Sequence, residues 1–209
     1  DVRWQYGLPP AGNANFAWMQ HMIHHLSPNG RIGLVLANGS LSSMTGGEGE
    51  IRKAIIEAGL VEGIVALPQQ LFYSTGIPVC LWILSRKNEQ KGKVLFIDAR
   101  DMGEMVTRRV RELQEKDIAK ISGCFDDFRN GKHKDEKGFC NVATLDEIAK
   151  QDYVLTPGRY VGIADEEEDG ESFEVKVARL STEISELFSQ SREQENEIRV
   201  QLSKIGINL

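Results

Sequence analysis

The chain has 209 residues, of which 41% are apolar and 27% are charged, and its net charge is −6 at pH 7. This length and composition suit one globular domain with an appendage, or two small domains. No apolar run approaches the roughly 20 residues of a membrane-spanning helix and no signal-peptide pattern is present, so the sequence excludes a membrane protein and predicts a cytoplasmic one.

Charge is divided unevenly along the chain. Residues 1–100 contain nine Lys or Arg and seven Asp or Glu, whereas residues 101–209 contain sixteen and twenty-four. An acidic chain attracts the DNA backbone weakly. If nucleic acid is a ligand, another segment or subunit is therefore expected to supply most of the positive charge.

The cysteines and histidines do not follow a metal-binding pattern. Cys80, Cys124 and Cys140 are odd in number, widely spaced and without a C-x-x-C pair, which indicates neither a disulfide framework nor a zinc site and favours a reducing compartment. His21 and His25 lie one helical turn apart, but two imidazoles without a third ligand are more typical of a helix surface. The sequence predicts no metal site.

The first hundred residues alternate helices and strands. Apolar spacings of three and four residues predict helices over 15–27 and 50–60. Short apolar runs predict buried strands, the first covered on both faces, at 31–38, 61–68, 77–86 and 93–100. The alternation predicts a doubly wound parallel sheet, and the last two strands, which have no helix between them, are expected to form an antiparallel hairpin. Such a half sheet leaves an open edge, which favours a piece of a larger fold.

The glycines of TGGEGE (45–50) precede the second helix, as in a phosphate-binding loop. Glu48 and Glu50 would repel a phosphate, so a mobile loop is the favoured interpretation. Arg52 and Lys53 behind this loop are candidates for contact with a DNA backbone, and a solvated helix face explains them equally well.

The second half of the chain contains three segments of different composition. Residues 101–164 are charged and predict a helical and extended connecting region, with a pair of helices over 98–121. An acidic linker at 165–172 precedes a C-terminal helix at 173–209. Its apolar residues follow heptad spacing, interrupted by polar Ser191 and Gln194. These seam residues are Phe173, Val177, Leu180, Ile184, Leu187, Ile198, Leu202 and Ile205. A helix of roughly 50 Å is too long for a small domain to cover, so a partner-binding helix is favoured over an internal core helix.

Three stretches of the sequence resemble the modification (M) subunits of type I restriction–modification systems, a family of N6-adenine DNA methyltransferases. They read DVRWQYGLPPAGNANFAWMQHMIHHLSPNGRIGLVLANGSLSS, GEGEIRKAIIEAGLVEGIVALPQQLFYSTGIPVCLWILSR and YVLTPGRYVG. The resemblance covers residues 1–165. It implies that residues 1–100 are the C-terminal half of a Rossmann-like methyltransferase domain, and that the whole protein uses S-adenosylmethionine to methylate the exocyclic amine of adenine.

The family's glycine-rich cofactor motif and its Asn-Pro-Pro-Phe catalytic motif do not occur in this sequence. Pro9-Pro10 is flanked by Leu8 and Ala11, whose side chains can neither accept a hydrogen bond from an amine nor stack on a base. The resemblance places the catalytic motif upstream of Asp1. We therefore expect no catalytic residue in this chain, and no activity from the chain alone.

The resemblance implies roles for two groups of aromatic or polar residues. Phe72 follows a strand, where an aromatic ring can stack on an extruded adenine; the alternative is that Phe72 or Tyr73 packs the loop. Asn15, Phe16 and Trp18 begin the first helix, where the family contacts the cofactor. The alternative is that Phe16 lies in the core and Trp18 is a half-buried surface anchor.

The partners implied by the resemblance are a specificity (S) subunit, a restriction (R) subunit and DNA. The specificity subunit would read the DNA sequence and bind the C-terminal helix. An alternative from another class is a non-catalytic assembly module that associates through the same helix. A complete small-molecule enzyme is disfavoured, because the sequence shows neither a glycine fingerprint nor a nucleophile–base set.

Overall fold

The computed structural model describes residues 1–163, 173–204 and 206. The chain divides into two compact units, Asp1–Asp165 and Glu166–Leu209, which are treated separately. The α-helices are α1 Asn15–His25, α2 Glu48–Glu57, α3 Glu115–Arg129, α4 Leu145–Lys150 and α5 Phe173–Lys204. The strands are β1 Arg31–Ala37, β2 Val61–Ala66, β3 Val79–Ser85, β4 Lys93–Asp98, β5 Glu104–Met105, β6 Arg111–Glu112 and β7 Cys140–Thr144. None of these described helices combines the length and the apolarity needed to cross a membrane.

Five strands form one mixed sheet in the order β1-β3-β2-β4-β7. β3 is antiparallel to both β1 and β2, β4 is parallel to β2, and β7 is antiparallel to β4. The strands β1, β2 and β4 therefore point in the same direction. Their carboxyl ends share one edge of the sheet, called the carboxyl edge below.

The hairpin predicted between the third and fourth strands is wrong. β3 and β4 run in opposite directions, but β2 lies between them, with Val65 opposite Leu81 on one side and Ile97 on the other. β2 is buried along its whole length, which suits an interior strand better than an edge. The connection from β3 to β4 crosses the start of β2, where the Asn88 side-chain amide lies 3.4 Å from the carbonyl of Val61 and donates to it.

The sheet continues beyond residue 100, where the sequence places a boundary. β7 extends it by pairing with β4, Lys93 lying opposite Thr144. The pair of helices expected over 98–121 is also not found. β5 and β6 form a two-stranded ladder in this region, and α3 begins after it at Glu115.

β1 is less covered than the expected strand with two buried faces. Alternate side chains from Arg31 onward are exposed, and Val35 is 44% exposed. Among the strands that the structure describes, β1 pairs with β3 alone. An exposed face and an unpaired side together make β1 the open part of this sheet.

Apolar clusters lie on both faces of the sheet. Because successive strand residues point to opposite faces, β2 contributes Ile64 to one cluster and Val65 to the other. The first cluster includes Phe16 of α1, whose ring meets that of Trp82 edge to face with centroids 6.3 Å apart. The second includes Phe128 of α3. The helices therefore cover the sheet from both sides, as a doubly wound fold requires.

The second unit is described over α5, a helix of 32 residues that spans about 48 Å at the usual rise. Leu202 is partly exposed, and the other described seam residues are at least 41% exposed. These are Phe173, Val177, Leu180, Ile184, Leu187 and Ile198. Ile205 and the predicted linker at 165–172 lie outside the described residues. The role of α5 in binding a partner stays a prediction.

Candidate functional site

The carboxyl edge is where an open α/β sheet offers a ligand site. Three loops leave it: residues 38–47 after β1, 67–78 after β2 and 99–103 after β4. The segment before α1 reaches the first of these loops, since a Cβ placed on Gly46 would lie 2.6 Å from the Cβ of Pro10. Gly46 also has φ +62°, which favours glycine. The Pro9-Pro10 turn is thus packed on the loop that follows β1.

Asn38, the first residue after β1, carries a polar atom that nothing in the described structure satisfies. Its Oδ1 is buried and has no hydrogen-bond partner. Leaving a buried acceptor unpaired costs about 1–3 kcal/mol, so this oxygen is available to a hydrogen-bond donor. Asn38 is not among the candidate residues predicted from the sequence, although its place directly after a strand that ends at the carboxyl edge is a signal for such a role.

Arg52 of α2 holds the loop at 38–47 in place. Its guanidinium is wholly buried and donates to the carbonyls of Ser43 at 2.7 Å and Tyr153 at 2.8 Å. Burial lowers the pKa of Arg52, and the carboxylate of Glu48 opposes that shift. The two alternatives for Arg52, contact with a DNA backbone and a solvated face, are both wrong because the side chain has no exposed surface.

The loop after β2 presents aromatic side chains to solvent. Phe72 is 42% exposed and Tyr73 is 90% exposed. The loop is anchored beside them: the backbone N–H of Arg111 in β6 donates to the carbonyl of Gln70 at 2.8 Å, and that of Thr75 donates to the carbonyl of Phe72 at 3.4 Å. The packing alternative is wrong for Tyr73, and Phe72 keeps an accessible ring on a tethered loop.

The three residues expected to contact a cofactor lie in different environments. Phe16 is wholly buried against Trp82, so its alternative as a core residue is correct. Trp18 is 59% exposed, more than the expected half-buried anchor, and Asn15 is partly buried. Asn15 and Trp18 keep the accessibility that a binding role requires.

Two groups of potential metal ligands differ in their packing. The histidines of α1 lie at its surface, where the rings of His21 and His25 are 4.4 Å apart. By contrast, the structure brings Cys124, His133 and Cys140 together, with their ligand atoms within 4.8 Å of one another. The sequence spacing gave no sign of this cluster, because it forms between α3, a loop and β7.

Comparison with known proteins assigns the family. Residues 1–169 match the family described as N-6 DNA Methylase, and the chain belongs to it. The chain is 55% identical, over 99% of its length, to the type I restriction enzyme HindI methylase subunit of Haemophilus influenzae, and covers 47% of that protein. It is 48% identical, over 95% of its length, to the MjaIX methylase subunit of Methanocaldococcus jannaschii, and covers 36% of it.

A solved relative shares the fold. The crystal structure of the type I restriction-modification system methyltransferase subunit from Streptococcus thermophilus is similar with a TM-score of 0.71 and 32% identity, over 78% of this chain and 34% of that one. The predicted membership of the family of type I modification subunits is confirmed. The chain spans about half the length, or less, of these relatives.

Proposed function

We propose that this chain is part of the modification subunit of a type I restriction–modification enzyme, and that the whole protein methylates N6 of adenine in DNA with S-adenosylmethionine. The observation that supports this beyond family membership is the accessible ring of Phe72, on a tethered loop at the carboxyl edge. This is the edge at which open α/β sheets bind their ligands.

The chemistry explains why an exposed aromatic residue belongs there. The amine of adenine cannot react inside a duplex, so an enzyme extrudes the base and holds it between flat apolar groups. Phe72 offers such a face. The connection between β5 and β6 contains Arg108 and Arg109, both exposed, which suit contacts with phosphates. The proposed role of Phe72 is to stack on the extruded adenine.

The cofactor site is incomplete in this chain. S-adenosylmethionine supplies the methyl group, as a carbon bonded to a positively charged sulfur. The sequence contains neither the family's glycine-rich cofactor motif nor Asn-Pro-Pro-Phe, and the buried Phe16 does not fit a cofactor contact. We therefore propose that the chain alone is inactive. We propose that Asn15 and Trp18 contact the cofactor at the edge of its site. The buried Oδ1 of Asn38 suits a hydrogen bond from a donor group of the ligand.

The proposed partners follow from charge and from α5. The acidic balance of residues 101–209 suits a subunit that leaves reading of the DNA sequence to a specificity subunit. The exposed seam of α5 suits packing against helices of that subunit. A restriction subunit and DNA complete the proposed complex, which we place in the cytoplasm. If α5 instead makes the chain a self-associating assembly module, its mass rises with concentration without any partner.

The test uses the whole modification subunit with its specificity subunit, and measures methyl transfer from radiolabelled S-adenosylmethionine to DNA. Phe72→Ala is expected to slow transfer about 5- to 150-fold, because base–aromatic stacking contributes about 1–3 kcal/mol. Phe72→Trp should retain most of the rate. Tyr73→Ala is the matched control, since it removes an adjacent and more exposed ring.

Two outcomes contradict the stacking role. One is a Phe72→Ala enzyme that transfers methyl groups at the unaltered rate. The other is an equal loss in Phe72→Ala, Phe72→Trp and Tyr73→Ala, which would indicate a general disturbance of the loop.

A further inference from the structure

Cys124, His133 and Cys140 form a cluster that the proposed methylation does not use. Cys124 lies in α3, Cys140 is the first residue of β7, and His133 lies in the connection between them. The Sγ of Cys124 is 3.9 Å from Nδ1 of His133, and all three ligand atoms lie within 4.8 Å of one another. The pairing of β7 with β4 places Cys140 opposite Ile97, and both pack in the same apolar cluster as Cys124 of α3.

Two thiolates and an imidazole are the donor set that zinc prefers. Zn–S bonds of about 2.3 Å and Zn–N bonds of about 2.0–2.1 Å in a tetrahedral site place the donor atoms about 3.6–3.8 Å apart. In the structure the three donor atoms lie within 4.8 Å of one another, and this upper limit is about 1 Å longer than the spacing in such a site. A bound ion would therefore draw the three donor atoms closer together.

A carboxylate orients the imidazole as in known metal sites. Nε2 of His133 lies 3.0 Å from Oδ1 of Asp135, and the same oxygen accepts a hydrogen bond from the backbone N–H of Val142 at 3.1 Å. Donation of Nε2–H to Asp135 leaves the lone pair of Nδ1 facing Cys124. Metal-bound histidines almost always donate their other nitrogen to such a partner.

The charges around the cluster suit a bound dication. Each cysteine would bind the ion as a thiolate, so zinc would displace the protons of both thiols. Two thiolates then balance the charge of the ion.

A surface pocket of about 500 Å³ adjoins the two sulfur atoms. It leaves room for a fourth ligand, and its lining includes the carboxylates of Asp127 and Glu136. Its lining also includes Lys120, Lys132 and Lys134. Lys120 is already paired with Glu136 at 2.7 Å.

We propose that Cys124, His133 and Cys140 bind one zinc ion through two Sγ atoms and Nδ1, with a water or a pocket carboxylate as the fourth ligand. The ion would fasten α3 to β7 and act as a structural clamp. The proposal departs from the sequence prediction of no metal, and it does not depend on the methyltransferase function.

The test is a Co²⁺ titration of the 209-residue chain, stripped of metal and kept reduced. One equivalent is expected to give a thiolate-to-cobalt charge-transfer band and the visible bands of a tetrahedral site. Cys124→Ser, Cys140→Ser and His133→Gln should each weaken binding by more than about 100-fold, and Asp135→Asn by about 10- to 100-fold. Cys80→Ala and His25→Gln are the matched controls, and both should bind as the unaltered chain does.

A thermal melt gives a second readout that does not depend on cobalt. Zn²⁺ should raise the Tm of the unaltered chain and of both controls, but not that of Cys124→Ser. Circular dichroism of each variant shows whether it is folded, and Asp135→Asn keeps the test valid if a cysteine variant is not.

Three results would overturn the proposal. The first is the absence of a charge-transfer band in the reduced, unaltered chain. The second is a band that persists in both His133→Gln and Cys124→Ser. The third is a chain that binds no zinc but forms a Cys124–Cys140 disulfide on mild oxidation, which would make the cluster a redox pair.

Discussion

The helices α1 and α5 show the same apolar spacing of three and four residues with opposite outcomes. In α1 the spacing buries Phe16, Met19 and Ile23 in the core that contains Trp82. In α5 it leaves Leu180 and Leu187 exposed, by 41% and 56%. The comparison teaches that periodicity defines an apolar face and that the neighbouring elements decide what covers it. Substitutions in covered and exposed positions are therefore expected to differ in their effect on the free energy of unfolding of the first unit, Asp1–Asp165.

The largest effect is expected for Phe16→Ala. It removes a buried ring from the core and should lower the free energy of unfolding by about 3–5 kcal/mol. Phe188→Ala in α5 is the control, because that ring is 63% exposed and its loss should cost less than about 0.5 kcal/mol. Denaturant unfolding measures both variants. Equal costs for the two would show that the contrast between α1 and α5 does not hold.

The second largest loss of unfolding free energy is expected for Arg52→Met. It keeps the apolar volume but leaves the buried carbonyls of Ser43 and Tyr153 without a donor, and about 2–3 kcal/mol of unfolding free energy should be lost. Lys53→Met is the neighbouring control and should cost less than about 1 kcal/mol, because its ammonium group lies over an aromatic ring. A loss for Arg52→Met no larger than for Lys53→Met would contradict the anchoring role of Arg52.

A smaller, pH-dependent effect is expected at the start of α4. The backbone N–H and the hydroxyl of Thr144 donate to Glu147 at 2.8 Å, and they lower the pKa of Glu147 below its ordinary value of 4.5. A depressed pKa means that the stabilisation is present above pH 4.5 and is lost as the pH falls through the lower, folded-state value.

Glu147→Gln should therefore remove this part of the acid sensitivity. Because Glu147 is largely exposed, the effect is less than about 1 kcal/mol. Unfolding curves measured at several pH values check it. Glu186→Gln on the exposed surface of α5 is the control. Parallel pH profiles for Glu147→Gln and the unaltered chain would contradict the prediction.

The double variant Leu180→Asp with Leu187→Asp should change the free energy of unfolding of the first unit, Asp1–Asp165, by less than about 0.5 kcal/mol. Both side chains belong to the second unit. The double variant should nevertheless abolish co-purification with the specificity subunit. Thr182→Asp with Ser189→Asp adds the same charges at the same spacing away from the seam, and should leave co-purification intact. Unchanged co-purification of the seam variant would contradict the proposed interface.

The sequence predicted the positions of the helices and strands along the chain well, but it predicted less well which strands pair with one another. The strands β2, β3 and β4 lie within the predicted runs, and α1 and α2 lie close to theirs, because apolar periodicity and turn residues act over a few positions. The hairpin was wrong because the absence of a helix between β3 and β4 fixes their directions but not whether another strand separates them. Here β2 does.

At the candidate site, too, some features were predicted from the sequence and others were not. The exposure of Phe72 and Trp18 agrees with the roles that the resemblance implies, and those roles stay predictions. Phe16, two positions before Trp18, lies in the core. The burial of Arg52 and the unpaired oxygen of Asn38 do not follow from the sequence, because both are defined by the surrounding structure.

Local residue patterns were enough to predict the family, the alternation of helices and strands, and the heptad spacing of the C-terminal segment. The strand order, the burial of Arg52 and the proximity of Cys124, His133 and Cys140 became visible in the folded chain alone. These features join residues far apart in the chain. Their proximity depends on how β7 pairs with β4 and on how α3 packs on the sheet. The local spacing of residues predicts neither of these contacts.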